Sequence, residues 1–281
     1  MGDHFAAFSF VDRITEFESG KRALGQFAIP REVRAFPSCL VAEAVGQLAA
    51  WTAMSEISFR GRPVAALANE TRFLDNAVPG ETLELAVEIE SCDDEAVAYA
   101  GWAHAGGRKL IELIDCLGPM LPVEEFDSPE AMAERLALLR GAGAPPGRFR
   151  GVDVPPLTNV ERVRGESASG TFHVPTRAPF FGDHFPRRAV FPATLLLDMQ
   201  IRLALEVAAE TPQCPPGSAP VPVKMTHVKM RSFMAPGDTL VLGAKVAEPA
   251  NGNGRIMLSA QSDGKTVATA RVEYVFRETK G

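Results

Sequence analysis

Cysteine is scarce in this sequence, and the few cysteines do not form a recognisable group. They are Cys39, Cys92, Cys116 and Cys214, and neither a Cys-x-x-Cys pair nor a Cys/His cluster occurs. This spacing argues against both a structural zinc site and a disulfide framework. We therefore expect free thiols and no bound metal.

Basic residues, long apolar runs and a leader peptide are also lacking. Lys and Arg number 29 against 35 Asp and Glu, a net charge of −6, whereas nucleic-acid binding usually needs a basic face. No apolar run reaches the length of a membrane span. Residues 1–4 (MGDH) have neither the basic nor the apolar region of a secretory signal. We expect a cytoplasmic protein that binds neither nucleic acid nor a membrane.

The 281 residues are long enough for two domains, and an internal repeat supports that organisation. Three segments match in the same order: 11–14 (VDRI) with 160–163 (VERV), 36–43 (FPSCLVAE) with 191–198 (FPATLLLD), and 79–83 (PGETL) with 236–240 (PGDTL). Such a repeat indicates two copies of one unit. The predicted domains are residues 1–122 and 155–281, joined by a linker over residues 123–154.

Each unit is expected to combine one apolar helix with an antiparallel sheet. The helices are predicted over residues 39–55 and 194–209, and alternating strands over 83–90 and 240–246. Residues 251–254 (NGNG) and 263–264 (DG) are typical of hairpin turns. In the linker, Ser128 and Pro129 are typical of a helix start, and Gly141 of its end. This pattern predicts an α+β fold in which a curved sheet wraps each helix.

Two polar side chains interrupt the first apolar helix. Glu43 and Gln47 are almost the only polar residues between Leu40 and Trp51, and a spacing of four places them on one face. A buried carboxylate is costly unless it is paired or functional. Glu43 is therefore a candidate functional residue.

The second copy carries a distinctive loop, residues 180–186 (FFGDHFP), followed by the Phe-Pro turn and the helix. The segment from Phe180 to Asp198 resembles the β-hydroxyacyl-ACP dehydratases of fatty-acid synthesis. Their motif is Phe-Phe-x-x-His-Phe-Pro, with a helix carboxylate fourteen residues after the His, which is the spacing from His184 to Asp198. The resemblance implies a double hot-dog fold, with two curved antiparallel sheets side by side as a pseudo-dimer.

The His loop occurs once, although the features around it occur twice. The first copy is about six residues shorter here, and fourteen residues before Glu43 stands Ile29. In the family, the His of one hot-dog works with the carboxylate of the other. The resemblance thus implies one composite site that joins His184 to Glu43. Asp198 is left without a His, and its spacing to Arg202 predicts an ion pair on the helix.

The resemblance implies a role for each candidate. His184 would remove the C2 proton, Glu43 would protonate the departing hydroxyl, and the Val190 carbonyl would orient the His. Backbone N–H groups at a helix start, those of Ala193 or of Ser38 and Cys39, would polarise the thioester carbonyl. Gln47 would support Glu43 or a water. A lone His among aromatic residues is otherwise an ordinary structural residue.

The implied activity is that of a hydro-lyase, dehydrating (3R)-hydroxyacyl thioesters to trans-2-enoyl thioesters in fatty-acid or polyketide-type biosynthesis. No cofactor is implied, because the phosphopantetheine of acyl carrier protein (ACP), or CoA, carries the substrate. Possible ACP contacts are Arg187, Arg188, Lys224, Lys229 and Arg231, although these residues also fit a solvated strand face. The chain would be a monomeric pseudo-dimer or a homodimer. A hot-dog thioesterase and a non-catalytic acyl-binding or assembly subunit are the alternatives.

Overall fold

The computed structural model describes residues 5, 7–250 and 252–279, and it divides into two halves joined by a helical linker. The first half contains β1 (Arg13–Glu18), β2 (Arg22–Ala28), α1 (Ser38–Glu56), β3 (Gly61–Pro63), β4 (Leu67–Phe73), β5 (Thr82–Cys92), β6 (Ala96–Ala105) and β7 (Arg108–Pro122). The linker contains a 3-10 turn (Val123–Glu125) and α2 (Pro129–Arg140). The second half contains β8 (Thr158–Val163), β9 (Ser167–His173), a 3-10 turn (Pro179–Gly182), α3 (Ala193–Ala209), β10 (Ser218–Met230), β11 (Thr239–Ala250), β12 (Asn253–Ser262) and β13 (Lys265–Glu278).

The sheet order has an internal symmetry. Neighbouring strands follow the order β1-β2-β5-β6-β7-β4-β10-β13-β12-β11-β9-β8, with β3 added beside β7. The second half of this order repeats the first half in reverse, with β10 in the place of β4. The two central strands pair antiparallel, with Arg72 opposite Lys224. The expected double hot-dog fold is therefore confirmed, and one continuous antiparallel sheet connects its halves.

Each half encloses one apolar helix, as its sequence pattern indicates. The helices begin one residue before the predicted positions, at Ser38 and Ala193, and their inward side chains form the core of each half. Helix α1 packs on β5 and β6, whereas α3 packs on β10 and β11. The two helices also contact each other. Side chains of the two helices can therefore meet across the two halves.

The sheet register corrects one of the three predicted repeat matches. Gly25 pairs with Leu85 and Gly170 pairs with Leu242, and these leucines occupy equivalent positions after the Pro-Gly turns. Residues 20–29 are thus equivalent to residues 165–174. This alignment of the two copies is shifted by four residues from the one that the VDRI/VERV match gives. Nine residues separate β2 from α1, but nineteen separate β9 from α3. The first copy therefore lacks ten residues here rather than about six.

The same register shows that Ile29 does not occupy the place of the missing His. Ile29 is equivalent to Val174, and both are buried. Their N–H groups donate to the equivalent carbonyls of Glu81 and Asp238, both at 2.9 Å. The loop that carries His184 is an insertion absent from the first half.

The linker helix has the predicted bounds and cap. The Ser128 hydroxyl accepts a hydrogen bond from the Ala131 N–H at 3.1 Å, Pro129 is the first helical residue, and Gly141 follows the last. Arg140 lies over the Phe17 ring at 4.6 Å, which holds the end of α2 against β1. None of the described helices is both long and apolar enough to cross a membrane.

The predicted hairpin turns lie between β11 and β12 and between β12 and β13. Asp263 and Gly264 both have positive φ, at 49° and 73°, as a tight hairpin turn requires. Of the other turn, Asn251 lies outside the described residues, as do residues 1–4 of the leader prediction.

Candidate active site

The His loop holds the His184 ring through backbone hydrogen bonds. The His184 N–H donates to the Phe180 carbonyl at 2.9 Å, and the Val190 N–H donates to the His184 carbonyl at 3.1 Å. The ring Nδ1 lies 2.9 Å from the Val190 carbonyl oxygen. Since a carbonyl only accepts, Nδ1 carries the proton, which leaves Nε2 of the neutral ring as a proton acceptor.

Aromatic rings surround His184 and affect its charge. Phe185 stacks on the imidazole at 4.1 Å, and Phe8 meets it edge-on at 5.5 Å. Burial lowers the pKa of His184 below its ordinary value, and the opposing effects of the Glu43 charge and the Val190 carbonyl are smaller. The ring is therefore held in its neutral, basic form.

Glu43 is fixed by one contact from each half of the molecule. Its Oε1 accepts a hydrogen bond from Gln47 Nε2 at 3.0 Å, within α1. Its Oε2 accepts from Thr194 Oγ1 at 2.8 Å, across to the first turn of α3. Both carboxylate oxygens are thus oriented, and Gln47, the predicted supporting residue, is in contact with Glu43.

Gln47 also anchors the N-terminal strap, which we define as residues 7–10. Its Nε2 donates to the Phe8 carbonyl at 2.9 Å, and its Oε1 accepts from the Phe10 N–H at 2.8 Å. The amide therefore uses its donors and its acceptor to connect Glu43 with the strap. Its observed contacts are those of a positioning residue.

A largely apolar cavity of about 230 Å³ brings the candidate residues together. His184 and Glu43, from different halves, both line it, and so do Gln47, Ala193 and Thr194. The cavity extends along α1 and reaches Val97, Tyr99, Leu113 and Cys116 in the first half. An apolar pocket with a few convergent polar groups is the usual form of a small-molecule site. Among the residues that the structure describes, no cluster of His, Cys, Asp and Glu could hold a metal ion.

The first two residues of α3 lie at the cavity wall. The N–H groups of Leu195 and Leu196 both donate to the Pro192 carbonyl, while Ala193 and Thr194 precede the first intrahelical hydrogen bond. Ala193 and Thr194 line the cavity, whereas Ser38 and Cys39 are not among the residues that form its wall. Of the two helix starts left open by the sequence, only that of α3 faces this cavity.

The equivalent position in the other half holds an ion pair. Asp198 Oδ2 lies 2.7 Å from Arg202 Nη2, as the spacing predicts, and Asp198 does not line the cavity. Burial raises the pKa of Asp198, and Arg202 opposes that rise. Burial, with a smaller effect of the Asp198 charge, also raises the pKa of Cys39. The repeat thus places Asp198 with Arg202 and Cys39, where the other half has Glu43 with Gln47 and Thr194.

Asp183 is a site residue that the sequence patterns did not single out. Its carboxylate accepts hydrogen bonds from the backbone N–H groups of Phe5, Ala7 and Phe8, at 3.2, 2.9 and 2.8 Å. Asp183 directly precedes His184, so its hydrogen bonds hold the N-terminal strap beside the His loop. Gln47 holds the same strap beside Glu43. The only sequence signal was an acidic residue beside the motif His, without any indication of its partners.

Replacing Asp183 with Asn should release one end of this strap. The amide nitrogen of Asn cannot accept a hydrogen bond, and charge-assisted bonds contribute about 1.5–3 kcal/mol each. We expect a loss of about 1–3 kcal/mol in the free energy of unfolding, with faster hydrogen exchange at the Ala7 and Phe8 amides. Asp12→Asn is the matched control, because Asp12 accepts the Ala28 N–H at 2.7 Å. Unchanged hydrogen exchange at Ala7 and Phe8 in Asp183→Asn would show that the Asp183 carboxylate does not hold the strap in place.

The five predicted basic contacts have different surroundings. Arg187 donates to the carbonyls of Glu124 and Asp127 at 3.1 and 3.0 Å, and Arg188 pairs with Glu125. Lys224 lies between Glu70 and Glu273 at 3.9 and 3.6 Å. Lys229 and Arg231 are exposed and flank Met230, which lines the cavity. These last two side chains are therefore exposed cations next to a residue of the cavity wall.

The family model and the curated relatives that this sequence matches are dehydratases. The family model of ApeI-like dehydratases, described as ApeI dehydratase, matches residues 160–271. The 3-hydroxyacyl-[acyl-carrier-protein] dehydratase FabZ of Paramagnetospirillum magneticum is 32% identical over 123 residues, covering 43% of this chain and 76% of the relative. FabZ of Clostridium acetobutylicum is 30% identical over 113 residues, covering 36% of this chain and 80% of the relative.

Solved structures share the fold at much lower identity. A protein described as an oleoyl thioesterase from Lactobacillus plantarum has a TM-score of 0.59 and 11% identity, covering 90% of this chain and 95% of its own. The 12:0-ACP thioesterase of Umbellularia californica has a TM-score of 0.53 and 12% identity, with coverages of 91% and 94%. At this identity the likeness concerns the fold alone.

Proposed function

This chain belongs to the family of hot-dog 3-hydroxyacyl thioester dehydratases, and on that premise we propose that it converts (3R)-hydroxyacyl thioesters to trans-2-enoyl thioesters. One observation carries the proposal: His184 and Glu43, from different halves, line one cavity. A base and an acid that line one apolar cavity can remove a proton and a hydroxyl from adjacent carbons.

In the proposed reaction, Nε2 of His184 takes a proton from C2 of the substrate. The C–H electron pair forms the C2–C3 double bond as the C3–O bond breaks. Protonated Glu43 gives its proton to the departing hydroxyl, which leaves as water. The products are the enoyl thioester, a protonated His184 and an ionised Glu43, and transfer of a proton between the two residues restores the site.

The start of α3 would stabilise the thioester carbonyl during proton removal. Negative charge develops on that oxygen, and N–H groups at a helix N-terminus favour an anion. Ala193 and Thr194, which line the cavity, would supply these N–H groups. The Thr194 hydroxyl meanwhile holds Glu43, so one turn of α3 would serve both the carbonyl and the acid.

The proposed enzyme has a single composite site. Asp198, the equivalent of Glu43, is paired with Arg202, and the first half lacks the ten-residue insertion that carries the His. The curated FabZ relatives are named for substrates on acyl carrier protein. We extend that chemistry to this chain, with ACP or CoA as the carrier, in fatty-acid or polyketide-type biosynthesis. Lys229 and Arg231 would then face an acidic carrier protein.

Incubation with (3R)-hydroxyacyl-ACP and with the corresponding saturated acyl-ACP tests this function. We expect the enoyl thioester from the first substrate, detected by its absorbance, and no free thiol from either. Thiol release from both would instead identify a hot-dog thioesterase. Binding of both without any turnover would identify a non-catalytic acyl-binding subunit.

A further inference from the structure

Arg62 lies in the wall of the same cavity, although neither the repeat nor the His motif involves it. It belongs to β3 of the first half and is half-buried. Its guanidinium carbon lies 4.1 Å from the centre of the Phe185 ring, and Phe185 is the residue that stacks on His184. A cation therefore stands close to the proposed reaction centre.

The observed contacts of this guanidinium leave most of its donors unused. Its Nη1 lies 3.3 Å from the Met132 sulfur, which is a weak acceptor. Within the described part of the chain, no carboxylate comes within ion-pair distance of Arg62. The neighbouring Asp127 carboxylate pairs with Arg135 at 2.6 Å. A half-buried cation without an anion is costly unless another group satisfies it.

Arg62 keeps its positive charge despite this environment. Burial lowers its pKa to about 10. The negative charge of Asp127 opposes this effect, and the positive charge of Arg135 adds to it. It is therefore ionised near neutral pH, with up to five N–H donors in a planar array. That geometry suits carboxylate, phosphate or carbonyl oxygens.

We propose that Arg62 binds an acceptor oxygen of the thioester substrate, outside the two carbons that react. This inference rests on the proposed function, in which the thioester carbonyl and the 3-hydroxyl are already bound by α3 and Glu43. The acceptor oxygen has two possible sources with shared chemistry. One is the arm that carries the thioester, through its second amide or its phosphate, and the other is a carboxylate on the acyl chain.

The test compares Arg62→Met with wild type on four 3-hydroxyacyl thioesters. Three share one acyl group and carry N-acetylcysteamine, pantetheine or CoA, and the fourth joins an ω-carboxylated acyl group to N-acetylcysteamine. A charge-assisted hydrogen bond predicts a KM raised roughly tenfold to a hundredfold, with kcat little changed. A penalty confined to pantetheine and CoA identifies the second amide of the arm, and one confined to CoA identifies its phosphate. A penalty confined to the fourth substrate identifies the acyl carboxylate.

Arg60→Met is the matched control, because Arg60 lies two residues away, is exposed and pairs with Asp94 at 2.7 Å. It should leave every KM unchanged. The proposal would be overturned if Arg62→Met had the wild-type KM for all four substrates, or if its kcat fell equally on all four. Thermal unfolding of Arg62→Met and Arg62→Lys separates such a result from misfolding.

Calorimetry separates failure of this inference from failure of the proposed function. CoA, pantetheine and the saturated ω-carboxylated N-acetylcysteamine thioester serve as non-reacting probes. At least one should bind wild type more tightly than Arg62→Met, even if no substrate is dehydrated. If dehydration depends on His184 but both proteins bind all three probes with equal affinity, the proposed role of Arg62 is wrong and the proposed dehydratase function stands.

Discussion

Replacing His184 with Ala should lower kcat for dehydration by roughly 10²–10⁴-fold, the usual contribution of a general base. His184 is expected to have this effect because its Nδ1 is bound to the Val190 carbonyl, which directs the free Nε2 lone pair to the substrate. Methyl in place of imidazole leaves no proton acceptor at that position. Initial rates with (3R)-hydroxyacyl thioesters measure the loss.

His173→Ala is the matched control for this experiment. His173 is exposed at the end of β9, and its Nδ1 lies 3.1 Å from the Thr239 hydroxyl. It should retain wild-type kcat. If turnover survives in His184→Ala as well, the dehydratase mechanism proposed for this cavity is wrong.

The pH dependence of the wild-type rate provides a second measure of His184. Only the neutral ring accepts a proton, so kcat/KM should fall as the pH drops through the pKa of the free enzyme. Burial lowers that pKa, so the acid limb should lie below the value of about 6.5 for an unperturbed His.

Glu43→Gln should also lower kcat by roughly 10²–10⁴-fold, through loss of the general acid. The Gln side-chain carbonyl can still accept the hydrogen bond from the Thr194 hydroxyl, which is 2.8 Å long in the wild-type protein. Its amide cannot act as the acid that protonates the leaving hydroxyl. KM should change less than kcat, since the shape of the cavity is retained.

Asp198→Asn is the matched control from the other copy of the repeat. Asp198 has the position of Glu43, but it pairs with Arg202 and lies outside the cavity wall. Its replacement should spare most activity and weaken only the ion pair on α3. Loss of activity in Asp198→Asn, with activity retained in Glu43→Gln, would assign the acid to the same half as the His.

The fold was predictable because its signals are local and occur twice. The helix bounds follow from apolar runs after Phe-Pro, and the strands follow from alternation and Pro-Gly turns. The upstream match was misplaced by four residues because VDRI and VERV are short and similar by chance. Strand register depends on which residues pair across the sheet, such as Gly25 with Leu85, and a four-residue match does not encode that.

The sequence by itself determined the two copies, the single His loop, and the candidates His184 and Glu43. Only the tertiary structure decided that the start of α3, rather than the start of α1, lines the cavity, that Thr194 holds Glu43, and that Asp183 holds the strap. The reason is physical: Thr194 bonds a residue 151 positions away, and Asp183 bonds one 176 positions away. Such contacts depend on how two halves pack together, and no local pattern specifies them.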